Sequence, residues 1–204
     1  NQEIHDSLIK NKWITPTYYI GARYSMIYDL SEREEIRLNN ASKNWRHNLR
    51  RSLKKEILIK IATGNDINKI IDIYREMEST KGLSEQFSEK DILNLINEFS
   101  EKLLLYYATN SNGDLLGLRG ALLLGNKAVD IMAATSVAGR NTYSSYILFW
   151  ELTKKCKALG VKNYDMGGIN KRNNKGVYNF KKGTGAKEIK YLGEYEMATS
   201  NFLR

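Results

Sequence analysis

The chain has 204 residues and a formal net charge of +9, enough length for one large domain or one domain with extra elements. The charge predicts attraction to polyanions such as nucleic acid, nucleotide phosphates or an anionic membrane face, although a lysine-rich proteome would give the same balance. A single cysteine excludes an internal disulfide, the two isolated histidines form no His/Cys cluster at metal-ligand spacing and no convincing Ser/His/Asp set, and no apolar run approaches the ~18 residues of a membrane span.

Residues 1–13 carry Ile4, Leu8, Ile9 and Trp13 at roughly helical spacing, and Thr15-Pro16-Thr17 ends that helix. Residues 18–30, YYIGARYSMIYDL, read as a strand rich in aromatic and branched residues. Ser31 with Glu34 has the spacing of a capping box, so a helix is expected from there to about residue 39, restarting near Ser42. The segment 43–55, KNWRHNLRRSLKK, places Trp45, Leu49 and Leu53 on one apolar seam. Arg46, Arg50, Arg51, Lys54 and Lys55 cover much of the rest. These cations read either as a solvated face snorkelling over a core or as a phosphate-facing surface.

A strand over 57–63 follows, then a helix over 66–80 stopped by Gly82, and a second helix opened by Ser88 and Asp91 with Ile92, Leu95, Ile96 and Phe99 facing inward. Residues 103–109, 115–124 and 128–136 form a meander joined by NSNGD and GNK. A long amphipathic helix spans 143–159 and carries Cys156 on its apolar stripe, which reads as a buried structural thiol. A strand over 162–168, a short helix over 175–182 and a last strand over 187–197 complete the chain. The stretch 164–186, YDMGGINKRNNKGVYNFKKGTGA, sets lysines beside glycines whose missing Cβ lets a ligand approach the backbone, a combination that suits an anionic substrate.

From Ile57 the order is β-α-α-β-β-β-α-β-α-β. It resembles the GNAT acyltransferase fold, an α/β mixed sheet with helices on both faces; a ferredoxin-like domain is the alternative, with fewer elements. A helical crossover makes the strand after it parallel to the one before, and the ends of those strands, near residues 136 and 168, can separate to receive a ligand. Residues 57–204 are expected to form the GNAT-like domain, and 1–56 an N-terminal helix-strand-helix extension. The first residue is Asn1 rather than Met, as expected of a fragment.

The words YDMGGI, GVYNFKKGTGA and YLGEYEM together resemble the C-terminal part of the FemABX-like peptidyltransferases, with Tyr164, Asp165, Gly167, Gly168, Phe180, Lys181, Lys182, Gly183, Gly185, Gly193 and Glu194 on the pattern. YDLS followed by NWRHNLRRSLKK is similar to the segment that leads from the family's first GNAT-like unit into its second. The resemblance implies transfer of an amino acid from aminoacyl-tRNA to a cell-wall precursor or related glycan, at the cytoplasmic side, with peripheral contact at the inner membrane face as a further expectation. It also implies that residues 1–56 are the remnant of a preceding GNAT-like unit. Such transfer needs no cofactor or metal and no covalent enzyme intermediate, because the donor ester is already activated.

Lys181 is then expected to stabilise the oxyanion, with Lys182 as its neighbour, whereas both would otherwise read as cations at a helix end. Asp165 would orient an amine or hold the strand end, and Gly167 and Gly168 would allow close approach or serve a turn. Arg140, Tyr143, Tyr164 and Phe180 are the remaining expected substrate contacts, and Arg46, Arg50, Arg51 and Lys54 the expected RNA contacts. The pattern breaks at residues 80–91, TKGLSEQFSEKD, where the family carries an arginine and tyrosines for a nucleotide-sugar peptide, and at Thr184, where it has Phe. These departures point to another acceptor, such as an amino sugar or an exopolysaccharide unit. Two rival readings are an acetyl-CoA-dependent N-acetyltransferase, with Arg140 in the loop SVAGRNTYSSY, and a non-catalytic RNA- or polysaccharide-binding module.

Overall fold

The structure is a computed structural model that describes residues 2–84 and 88–197. Helix α1 (Gln2–Lys10) precedes strand β1 (Tyr24–Asp29), helices α2 (Glu34–Asn40) and α3 (Lys43–Leu53), and strand β2 (Leu58–Ile61). Helices α4 (Ile67–Lys81) and α5 (Glu89–Glu98) lead into the meander β3 (Leu103–Thr109), β4 (Leu115–Leu124) and β5 (Lys127–Thr135). Then come α6 (Val137–Thr142), α7 (Ser144–Ala158), β6 (Asn163–Gly168), α8 (Lys175–Gly183) and β7 (Lys187–Lys190). The seven strands form one sheet in the order β2-β3-β4-β5-β6-β1-β7. All neighbours are antiparallel except β5 and β6, which are parallel as a helical crossover requires. The mixed sheet with helices packed on it is the α/β architecture expected from the element order.

One core gathers α3, α7 and the strands around Phe149, Trp45 and Tyr164, and a second packs α4 and α5 against the meander through Ile70, Ile73, Tyr74 and Ile92. Helix α3 starts where Ser42 accepts a hydrogen bond from the Trp45 N–H, and Trp45 and Leu49 are buried. Leu53, the last helical residue, is exposed instead of completing the seam. Helix α4 ends at Gly82 in the left-handed conformation (φ 61°), a stop that needs no Cβ. At α5 the capping box of Ser88 and Asp91 is formed, but Phe99 caps the helix from an exposed position.

Several boundaries differ from the sequence reading. Strand β1 occupies only the second half of 18–30, because the Ile20 and Gly21 N–H groups donate to the Glu194 carboxylate rather than to a neighbouring strand. Ser31 does not cap α2: Asp29 Oδ1 accepts from both its N–H and its hydroxyl, an Asx-type turn, and the helix begins after Arg33. The helix expected over 143–159 starts after Tyr143, which at φ 59° separates the short α6 from α7. The last strand ends at Lys190, and among the described residues beyond it the Tyr191 N–H donates to the Arg23 carbonyl and Glu196 forms a single bridge to Ile14. Strand β1 lies between β6 and β7, so residues on both sides of position 56 build the same sheet.

Gly139 is the tightest point of the framework, since a Cβ there would sit 1.7 Å from the Leu116 carbonyl oxygen. Gly139→Ala is expected to lower the unfolding free energy by about 1–3 kcal/mol in urea titrations. Gly176→Ala, in α8 with open space around it, should be neutral or raise stability by roughly 0.5–1 kcal/mol. Cys156 is fully buried and burial pushes its thiol up to about 12. A thiol reagent such as Ellman's is therefore expected to leave the native protein unlabelled at pH 8 and to label one thiol after unfolding.

Candidate functional site

The site originates in the brevity of one strand pairing. Strands β5 and β6 pair only through Lys127–Asn163, Ala128–Tyr164 and Val129–Asp165. At the next residues the β4–β5 register shifts, with Gly120 opposite Met132 and Ala121 opposite Asp130, so Ile131 is the extra residue of a bulge. Past that point β5 and β6 part, and a cleft of about 600 Å³ opens between them. Its walls come from β5 (Asp130 to Thr135), the end of β6 (Met166, Gly167, Gly168), α8 (Val177, Phe180, Lys181) and the α7 residues Ser145 and Tyr146.

Lys181 lies on the face of α8 turned to this cleft and is 7% exposed. Its Nζ donates to the Gly167 carbonyl at 3.0 Å and the Gly168 carbonyl at 2.8 Å. Burial pulls the ammonium below the usual lysine range, while the Asp130 carboxylate pulls it back up and Arg119 opposes that. Gly167 takes a left-handed backbone at φ 73°, and an added Cβ would meet Lys181 Nζ at an ordinary 3.8 Å, so the glycine serves the turn.

Beside Lys181, Arg119 of β4 forms an ion pair with Asp130 of β5, both side chains nearly sealed from solvent. The Arg119 guanidinium is stacked 4.9 Å from the Phe149 ring and 5.3 Å from the Phe180 ring. Tyr164 donates its hydroxyl to Asp130 Oδ1 at 3.1 Å. Burial pushes the Asp130 carboxyl up, with the Arg119 guanidinium pulling the other way. At another part of the lining stand Arg140 and Lys81, and burial together with Arg140 lowers the lysine's pKa.

Of the residues expected from sequence, Arg140, Gly167, Gly168, Phe180 and Lys181 line the cleft. Lys182 does not: it is exposed, with Nζ 3.4 Å from the Tyr178 hydroxyl, because the next residue of a helix points about 100° away. Tyr164 is wholly buried beneath the cleft, where its hydroxyl donates to Asp130 and its ring packs edge-on against Phe149. Asp165 accepts from the Ser25 hydroxyl, the Gly167 N–H and the Tyr191 hydroxyl, so it ties β6 to β1 and to the chain after β7. Tyr143 turns to α3, where Arg51 donates to its hydroxyl and stacks 4.8 Å from its ring. Gly183 and Gly185 admit Trp45 and Asn40 rather than a ligand. On α3, Arg46 donates to the carbonyls of Leu38, Asn39 and Ala41 and so closes the end of α2, whereas Arg50 and Lys54 are exposed.

The sequence reading missed Arg119 and Asp130. Their signal was a charge inside each of two apolar strands, LLGLRGALLL and KAVDIMAAT, where an ionised group must find a partner. Among the described residues no group of His, Cys, Asp and Glu could hold a metal, and no helix is long and apolar enough to cross a membrane.

Comparison with known proteins agrees with this geometry. Residues 108–203 match the FemAB family model. No curated protein sequence matches the chain. Among solved structures, FemX superimposes with a TM-score of 0.85 at 14% identity, over 94% of this chain and 67% of that one. The C-terminal domain of a lysylphosphatidylglycerol synthetase from Agrobacterium fabrum gives a TM-score of 0.62 at 13% identity, over 90% of this chain and 61% of that one. The PaiA N-acetyltransferase from Thermoplasma acidophilum, solved with coenzyme A, gives 0.54 at 18% identity, over 66% of this chain and 99% of that one. This chain thus spans about two thirds of FemX and somewhat less of the synthetase domain. The matched segment is just under half of the chain and contains the cleft from Asp130 to Lys181, and the surrounding architecture is a FemABX-like fold with GNAT acetyltransferases among its structural neighbours.

Proposed function

We propose that the protein transfers an aminoacyl group from aminoacyl-tRNA to an amine of a cell-wall precursor or a related glycan. The observation that carries the reading is Lys181, a desolvated ammonium on the wall of a cleft between two parallel strands. Two of its three donors are held by Gly167 and Gly168, which leaves one for a ligand. Attack of an amine on the aminoacyl ester forms the C–N bond and gives a tetrahedral oxyanion. The C–O bond to the ribose then breaks, and the proton lost by the amine ends on the ribose hydroxyl. Lys181 offers its N–H to the developing oxyanion, in a site drier than water, where such a contact is strongest.

The rest of the cleft suits the end of an RNA. Phe180 and Tyr146 offer aromatic surface for a base, and Arg140 and Lys81 offer charge for phosphates. Arg50 and Lys54 on α3 would extend that charge, with Arg51 linking the basic helix to Tyr143 beside the cleft. In this reading residues 57–204, with β1 completing their sheet, carry the transfer chemistry, and the reaction takes place on the cytoplasmic side of the membrane. The stretch 80–91, of which residues 85–87 lie outside the described residues, lacks the family's arginine and tyrosines, so an amino sugar or an exopolysaccharide unit is the favoured acceptor.

Acetyl-CoA is the weaker donor. A diphosphate on this fold would use backbone N–H groups at the start of the helix after β5. Here the Val137 N–H donates to Glu76 Oε1 at 2.9 Å and the Gly139 N–H to Ser136 Oγ at 3.0 Å. Both donors are already taken by the protein.

With radiolabelled aminoacyl-tRNA and a panel of amino-sugar and peptide acceptors, Lys181→Met in the full-length protein is expected to lower kcat by about 10²–10³-fold. Lys182→Met should change it by less than about threefold, since its charge stays outside the cleft. Equal transfer by wild type and Lys181→Met would remove the lysine from the chemistry. A change in RNA affinity without any transfer would favour the binding-module reading.

A further inference from the structure

We propose that the groove between the residues before β1 and the segment after β7 is a sugar-binding subsite, which holds the glycan of the acceptor beside the cleft. The inference rests on the transfer reading, and its starting point is the third sequence word, YLGEYEM, which takes no part in the cleft lining. Tyr191, Gly193 and Glu194 of that word instead meet Tyr19, Ala22 and Arg23 around a second cavity of about 380 Å³, the size of a small-ligand pocket. Its shape is set without a ligand. The Glu194 carboxylate accepts from the Ile20 N–H at 2.9 Å and from the Gly21 N–H, and the Tyr191 N–H donates to the Arg23 carbonyl at 3.0 Å. A loop already tied in this way has little freedom left to lose on binding.

The groove adjoins the reaction centre. Ala22 packs so closely on Gly168 that a Cβ added to the glycine would lie 2.5 Å from the Ala22 Cβ, and Gly168 lines the cleft as well. The Tyr191 hydroxyl donates to Asp165, the same carboxylate accepts from the Gly167 N–H, and the Gly167 carbonyl holds Lys181 Nζ. The end of β6 therefore stands between the groove and the ammonium. A glycan seated in the groove runs past Gly168, and its amine-bearing unit enters the cleft.

The groove's chemistry is that of a sugar site. Sugar rings present polarised C–H groups, which settle on the negative faces of aromatic rings, and Tyr19 and Tyr191 supply such rings. The Arg23 guanidinium lies 4.6 Å from the Tyr19 ring centre, and a stacked guanidinium keeps its in-plane N–H donors for hydroxyls. Among the described lining residues Arg23 and Glu194 are the charged ones, and their formal charges cancel. The groove thus offers little attraction to an RNA backbone, in contrast to the cleft lining with Arg140 and Lys81.

The test is saturation-transfer NMR on the full-length protein with N-acetylglucosamine and chitobiose. The sugar ring protons are expected to receive saturation from wild type and from Lys181→Met, to lose it in Tyr19→Ala and to lose most of it in Arg23→Gln. The Arg23 variant leaves the loop's packing in place and keeps the test open where Tyr19→Ala fails to fold. In transfer assays with an amino-sugar acceptor, Tyr19→Ala is expected to raise the acceptor KM by about 2–10-fold, the worth of one ring contact, with the KM for aminoacyl-tRNA unmoved.

Sugar saturation absent from wild type, or equal in wild type and both groove variants, would overturn the inference. So would a Tyr19-dependent signal from adenosine monophosphate in place of the sugars, which would give the groove to the RNA. Transfer by wild type and Tyr19→Ala with the same acceptor KM would remove the groove and leave the transfer reading standing. Tyr19-dependent sugar binding in a protein that transfers nothing would keep the groove and defeat the transfer reading instead.

Discussion

A parallel sheet that stops pairing partway leaves strand edges with unmet backbone groups, and that constraint organises this molecule. After Val129 and Asp165 the two central strands no longer share hydrogen bonds. The carbonyls of Gly167 and Gly168 then have no partner from β5, although the Gly167 oxygen also accepts from the Ser25 hydroxyl of β1. The protein answers with the Lys181 ammonium, which donates to both. One side chain therefore meets carbonyls that β5 no longer reaches and lines the cleft that opens there. Structural need and chemical opportunity coincide on the same nitrogen, and the bulge at Ile131 is the local cause of both.

Holding that nitrogen in place is the task of the elements behind it. Helix α8 turns its lysine inward because Phe180 on the same helix packs against Trp45, Tyr146 and Phe149. Gly183 lets Trp45 approach to the point where a Cβ would be only 3.1 Å away, and the Ser42 N–H donates to the Gly183 carbonyl. Helix α3, the most basic segment of the chain, thus has an inner face that locks α8 and an outer face of exposed cations. Its two readings from sequence, core-covering and phosphate-facing, belong to opposite sides of one helix. Arg46 falls on the structural side, and Arg50 and Lys54 on the open one.

Periodicity and turn chemistry made the order of elements legible, because α4, α5, the meander and the parallel β6 each carry a local signal such as Gly82, the Ser88 box or NSNGD. Boundaries were lost where a distant side chain took the backbone's partners. Glu194 draws Ile20 and Gly21 out of the strand pattern, and Asp29 claims Ser31 before it can cap a helix. Within the site, the glycine-lysine words located Lys181 and the glycines of β6. They could not separate Lys181 from Lys182, since only the helix phase decides which one faces the cleft. The Arg119–Asp130 pair joins residues eleven apart on two strands, and only the antiparallel pairing of those strands brings them together.

The place of β1 in the sheet has a consequence for synthesis. Ser25 pairs with Gly168 on one side and with Ile189 on the other. During translation this aromatic strand waits for more than a hundred residues before either partner exists, and such long-range closure is slow. The β2–β5 meander and its helices can assemble meanwhile from local contacts. The edge of β6 then admits β1, and β7 closes over it last. A nascent chain therefore carries YSMIYD unpaired for most of its elongation, the kind of segment that sticks to other chains and that chaperones shield.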